Sequence, residues 1–191
     1  MDLAIDMTAI EARLRTGDIG VQHEALMEII GAVEKLMETA IQGFRHTKTP
    51  LMYADHLARF GNAIVPRVES LYRSYEHGSG RTNLAILLLY FGNKSGLPDV
   101  MSALQIDNES QFLAASKLAN AGIAEAREPI TQLLRDHVFG RPLDHTAGPK
   151  IGVFLGALTK LGAEIPNDVR QRLTGPDCSK YVTAYLPPSG S

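Results

Sequence analysis

Tryptophan is absent from the 191 residues of this chain, and cysteine occurs once, as Cys178. A single thiol can neither close an intramolecular disulfide nor build a multi-cysteine zinc site, so a disulfide scaffold and a zinc ribbon are both excluded. A reducing compartment, the cytoplasm, is the expected setting. Charge of one sign is also lacking. Lys and Arg number 19 against 21 Asp and Glu, a formal net charge of −2, which removes the simplest argument for binding nucleic acid or an anionic membrane. The longest apolar run, Leu84 to Phe91, falls far short of the roughly 20 residues a membrane span needs. The opening Met1-Asp2-Leu3-Ala4-Ile5-Asp6 has neither the basic start nor the apolar run of a secretion signal, so no membrane association is expected.

What is present is the composition of a globular domain. Hydrophobic residues make up 45% and charged residues 21%, close to soluble averages and enough to bury a core at this length. Periodicity reads as helix. Leu26, Ile29, Ile30, Val33, Leu36, Met37, Ala40, Ile41 and Phe44 recur at spacings of three and four, one broad apolar stripe. Thr8-Ala9-Ile10-Glu11 has capping-box spacing and predicts a short helix ahead of Gly17. Thr49-Pro50 predicts another helix start, with a stop at Gly61. Ile64, Val68, Leu71, Tyr72 and Tyr75 form the next stripe. Thr82 then opens the run Leu84 to Phe91, expected to be helical and buried on every side because Leu and Ala outweigh β-branched residues in it.

A repeated grammar underlies these helices. Phe60-Gly61-Asn62 precedes Pro66-Arg67-Val68, and Phe91-Gly92-Asn93 precedes Pro98-Asp99-Val100. Ala121-Gly122 stands before Pro129-Ile130, and Leu161-Gly162 before Pro166 and Val169. Each unit reads as a helix ended by a glycine suited to a left-handed cap, a short polar turn, and a proline in the first turn of a second helix. The glycines lie 31, 30 and 40 residues apart, and Gly17 is a candidate for a divergent first unit. Helix pairs repeated at this period are the signature of an α-solenoid.

The stretches Asn83 to Leu104, Phe112 to Leu134 and Ile151 to Leu173, with Ala54 to Tyr72 a weaker match, resemble short HEAT-like repeats. The resemblance implies an all-α, right-handed α-solenoid of about five antiparallel helix pairs, a single domain over residues 1–191 with a C-terminal tail at 176–191. It also implies that partners are gripped on the concave face lined by the second helices. HEAT-like alkylpurine DNA glycosylases would make that face a DNA cradle, but they use tryptophans and a strongly basic groove, and this chain has no Trp and a net charge of −2.

Reading the second helices in register yields two exposed rows: Ser70, Ser102, Gln132 and Gln171, then Arg73, Gln105 and Arg135 with Thr174. Short polar side chains flanked by arginines suit contact with another protein, because the guanidinium brings planar, multi-donor hydrogen bonding at low desolvation cost. The longest connection, about 138–150, adds Arg141 and His145 to this candidate protein-binding set. A non-enzymatic adaptor or inhibitor of the immunity type follows, with a partner protein and no cofactor or metal. An unusually apolar terminal unit would instead mark a homodimer. Two alternatives remain. A nucleic-acid binder would use Arg45, Lys48, Arg81, Arg141 and Lys150 along the inter-repeat edge, and an enzyme would centre on Asp144-His145. Against the latter, no second histidine stands at the i, i+4 spacing of H-E-x-x-H, and Gly92-Asn93-Lys94-Ser95-Gly96 fits a helix-helix turn better than a phosphate loop.

Overall fold

A computed structural model describes residues 6–46, 56–106, 109–144 and 146–175, and all regular structure among them is helical. The helices are α1 (Met7–Leu14), α2 (Ile19–His46), α3 (Val65–Ser74), α4 (Ser79–Tyr90), α5 (Leu97–Ala103), α6 (Glu109–Asn120), α7 (Arg127–Phe139), α8 (Ala147–Lys160) and α9 (Asn167–Thr174), with 3-10 turns at Gly61–Ile64 and Ala124–Ala126. Two compact units divide the chain, residues 1–67 and 68–191, and the boundary falls inside α3.

In the first unit α1 packs on α2. The α1 cap is Asp6 rather than the expected Thr8: its carboxylate accepts from the Ala9 amide at 3.1 Å, two residues ahead of the capping-box register. Asp18 caps α2 by accepting from Gly20 and Val21. Small residues of α2, Ala25 and Ala32, are buried, as is Ile10 of α1. Arg13 pairs with Glu28, and the Gln22 amide donates to the Leu14 carbonyl at 3.1 Å. The apolar stripe of α2 is only half used. Met37, Ile41 and Phe44 are buried, whereas Leu26, Ile30, Val33 and Leu36 face solvent. The Thr49-Pro50 start lies outside the described residues.

The second unit places α4, α6 and α8 side by side, with α4 also against α5, α6 against α5, and α7 against both α8 and α9. The glycine stops form as the sequence requires. After α4 the Gly92 amide donates to Leu89 and the Asn93 amide to Leu88, both at 3.0 Å. After α6 the Gly122 and Ile123 amides donate to Ala119 and Leu118, and after α8 the Gly162 and Ala163 amides donate to Thr159 and Leu158. These are three copies of one Schellman motif, each with its glycine at positive φ: 79°, 66° and 64°. Gly61, at φ 60°, shares the conformation. Pro66, Pro98 and Pro129 sit in the first turns of α3, α5 and α7, and Pro166 is the α9 cap residue. Each position spares the helix interior a residue with no amide to donate.

Packing follows from these stops. Leu84 to Leu89 are all buried, but Tyr90 is exposed and Phe91 half-buried, so the run is enclosed for six residues rather than eight. Helix α4 begins at Ser79, three residues before the expected Thr82, after the turn that Gly78 makes at φ 100°. A ring cluster of Phe112, His137 and Phe154, with centroids 5.1 to 5.7 Å apart, joins α6, α7 and α8. The connection between α7 and α8 spans only 140–146, shorter than the 138–150 loop expected, because α7 continues through Phe139 and α8 starts at Ala147.

Candidate functional site: a polar groove along α7

The α7 spacing Glu128, Gln132, Asp136 puts a residue every four positions on one face of a helix, a polar row one turn apart. Opposite it stands Gln105, just past the end of α5. Between them lie two adjoining depressions of about 280 and 250 Å³ that share Gln105, Leu133 and Asp136. Leu133 gives the groove an apolar strip, Gln132 donates to Asp136 at 2.9 Å, and Arg141 stands at one end.

The inner wall is a satisfied polar pair. Gln111, 3% exposed, donates through Nε2 to the Leu104 carbonyl at 2.9 Å. That fixes its Oε1 toward the His137 ring, whose Nε2 lies 3.4 Å away, and assigns the proton of a neutral ring to Nε2. His137 is buried beneath the groove and stacked in the ring cluster, so it holds α6 to α7 while one edge reaches the groove.

Of the side chains expected to bind a partner, the structure brings Gln105, Gln132 and Arg141 together in this groove. Ser70, Arg73, Ser102 and Gln171 are exposed on their helices, as expected, but do not line it. Arg73 pairs with Glu69 at 2.7 Å within α3. Arg135 bridges α7 to α9 through Asp168 at 3.3 Å. Partial desolvation raises the Asp168 carboxyl, and the Val169 amide with the hydrogen bond and charge of Arg135 more than offsets it, leaving it below the usual aspartate value. His145 lies outside the described residues. Its neighbour Asp144 caps α8, accepting from the Thr146 amide at 2.8 Å, the Thr146 hydroxyl at 2.6 Å and the Ala147 amide at 3.2 Å. Among the described residues no three His, Cys, Asp or Glu side chains gather as a metal site.

Glu128, Leu133, Asp136 and the Gln111–His137 pair line the groove or its wall outside the set that the sequence pointed to. The i, i+4, i+8 row on α7 was the available signal, whereas nothing in sequence pairs α6 with the end of α5.

Of the expected basic edge, Lys48 and the Arg45 side chain lie outside the described residues, and Arg81 does not stand free on a loop. Arg81 is turned inward: its guanidinium holds Asp99 at 2.8 Å, donates to the Tyr72 hydroxyl at 2.8 Å and the Tyr75 carbonyl at 2.5 Å, and lies 4.2 Å from the Tyr72 ring centroid. Tyr72 in turn donates to Asp99 at 2.5 Å. Burial, with the hydrogen bond and charge of Asp99, pushes the Tyr72 hydroxyl above the ordinary tyrosine value against the pull of Arg81. A different basic cluster forms at the ends of α4, α6 and α8. Tyr90, Lys94, Lys117 and Asn120 line a depression of about 270 Å³, with Lys117 Nζ 4.1 Å from the Tyr90 ring centroid and Lys160 hydrogen-bonded to Asn120.

These features define a protein that is all-helical among its described residues and carries an open polar groove along α7 beside the end of α5, with no helix among the described residues long and apolar enough to cross a membrane. Comparison with models of protein families, with curated proteins and with solved structures finds no match to this chain.

Proposed function

We propose that the chain is a short HEAT-like α-solenoid that acts as a non-enzymatic protein-binding module, gripping an extended segment of a partner in the α5–α7 groove. The observation that carries this reading is that Gln105 and Gln132 both line that groove, beside Asp136 and the apolar Leu133. Carboxamides both donate and accept, so two of them lining one groove complement the alternating N–H and C=O groups of a peptide backbone. Glu128 and Asp136 add preference for a basic side chain, and Leu133 for an apolar one. The three repeated Schellman stops and the neighbour order of α4, α6 and α8 support the solenoid. The test is affinity capture with the full chain at low and high salt, proteins and nucleic acids being identified separately. A stoichiometric protein that survives high salt and is lost with Gln132→Arg and Asp136→Arg is the expected result. Retention unchanged by both substitutions, or no retained protein, refutes it.

The second reading is a nucleic-acid binder, favoured by the cluster of Lys94, Lys117 and Lys160 beside the exposed Tyr90, a depression with no carboxylate among its described lining residues. It predicts retention that falls steeply with salt and disappears when these lysines are neutralised.

A further inference from the structure

We propose that the exposed apolar face of α2 is the contact surface for a second copy of this chain, which pairs with it antiparallel. The face is Ile19, Leu26, Ile30, Val33 and the flanking Met27 and Leu36. Ile19 is 81% exposed and the others 42 to 52%, six of the ten large hydrophobic residues exposed among those described. α1 packs on the other side of α2, where Ala25 and Ala32 are buried, so the protomer's own first helix leaves this stripe uncovered.

Register argues for a copy of the same helix. Ile19, Leu26 and Val33 repeat at seven residues, Ile30 and Met37 at the intervening four, and His23 completes the second row, which is the a/d spacing of a coiled coil. An antiparallel pair centred at the level of residue 28 sets Leu26 against Ile30 and His23 against Val33. On the flanks it sets Met27 against Met27, Ile29 against Ile29, Gln22 against Leu36 and Gly20 against Glu34. No like charges meet. The carboxylate on the flank of the seam, Glu34, is already paired within the protomer with Arg67. The exposed rows stop short of Met37, which is buried in the protomer itself and lies level with Ile19 of the second copy, so Ile19 marks the end of the contact. Antiparallel packing also sets the two helix dipoles in opposition.

Area decides that the contact is sufficient. Six side chains about half exposed, at roughly 200 Å² each when fully open, supply on the order of 600 Å² per copy and about 1,200 Å² in all, the lower bound of a specific interface. The figure of about 600 Å² per copy is also the upper end of the apolar patch an ordinary monomer shows.

Sedimentation velocity of the full chain over a range of about 1 to 200 µM is the test. The expected result is a monomer–dimer equilibrium in which Ile30→Glu raises the dissociation constant about 100-fold or more, with an unchanged helical circular dichroism spectrum, and the groove variant Gln132→Ala has no effect. In a Cys178→Ser background, Met27→Cys should cross-link under oxidation and Ile19→Cys should not. A monomer at every concentration, or a dimer indifferent to Ile30→Glu, assigns the face to another occupant and overturns the proposal. Cross-linking through Ile19→Cys rather than Met27→Cys overturns the antiparallel register.

Discussion

Three glycine-to-alanine substitutions, chemically identical, should differ in sign and size because their surroundings differ. Gly96 precedes α5 where that helix crosses α4, and a Cβ there would lie 2.6 Å from the Ala85 Cβ and 2.8 Å from its Cα. The obstacle is backbone, which no rotamer change can clear, so Gly96→Ala must push α5 off α4. Overpacking of this kind costs about 1–3 kcal/mol, and the upper half of that range applies here. Gly122 has nothing within 4 Å of its added Cβ, but it sits at φ +66° as the Schellman residue after α6, so Gly122→Ala pays only the left-handed penalty of about 1–2 kcal/mol. Gly92 and Gly162 hold the same motif and should match it within about 0.5 kcal/mol. Gly156 lies inside α8, exposed and with open space around it, and Gly156→Ala should stabilise by about 0.5–1 kcal/mol. Urea unfolding followed by far-ultraviolet circular dichroism reads all of these as midpoint shifts at constant slope. If Gly96→Ala were no more damaging than Gly122→Ala, the close approach of α5 to α4 would be wrong. If Gly122→Ala behaved like Gly156→Ala, the repeated left-handed stop would be wrong.

Further outcomes follow from the polar pairs. Arg81→Ala should cost about 1–3 kcal/mol, since it leaves Asp99 without its cation in a site where both side chains are less than a third exposed; Arg81→Lys should recover only part of the loss in the same urea titration, because an ammonium cannot hold Asp99, Tyr72 and Tyr75 at once. Tyr72, raised above the ordinary tyrosine value, stabilises fully below about pH 10, and that contribution should fade as pH climbs through the raised value, a slope that Tyr72→Phe removes. Asp168, lowered below the ordinary aspartate value, stabilises above about pH 4 and should lose its contribution as pH falls through the lowered value; Asp168→Asn should flatten that part of the pH–stability curve.

The helices were legible because their determinants are local. A glycine at the end of an apolar stripe, followed within a few residues by a proline, states where one helix stops and the next starts without reference to the rest of the chain. Each of Gly61, Gly92, Gly122 and Gly162 adopts the left-handed conformation that this reading demands. Boundaries slipped where two local signals competed. Asp6 took the cap from Thr8, and the Gly78 turn started α4 ahead of Thr82. Of the two rows expected on the second helices, Gln105 and Gln132 line the groove.

What sequence could not supply was which polar residue finds a partner across the fold. Arg81 reads as a loop cation, yet α3 and α5 bring Tyr72 and Asp99 to it and turn it inward. His137 adjoins a loop in sequence, yet Gln111 and two phenylalanines enclose it. In the same way the nine-residue stripe of α2 reads as one buried face, while only its second half is covered. By itself the sequence determined an all-helical chain punctuated by left-handed glycine stops, because helix propagation and termination depend on residues a few positions apart. The groove, the inward Arg81 and the bare half of α2 were decided only by tertiary structure, because burial and hydrogen-bond partnership depend on which distant surfaces meet.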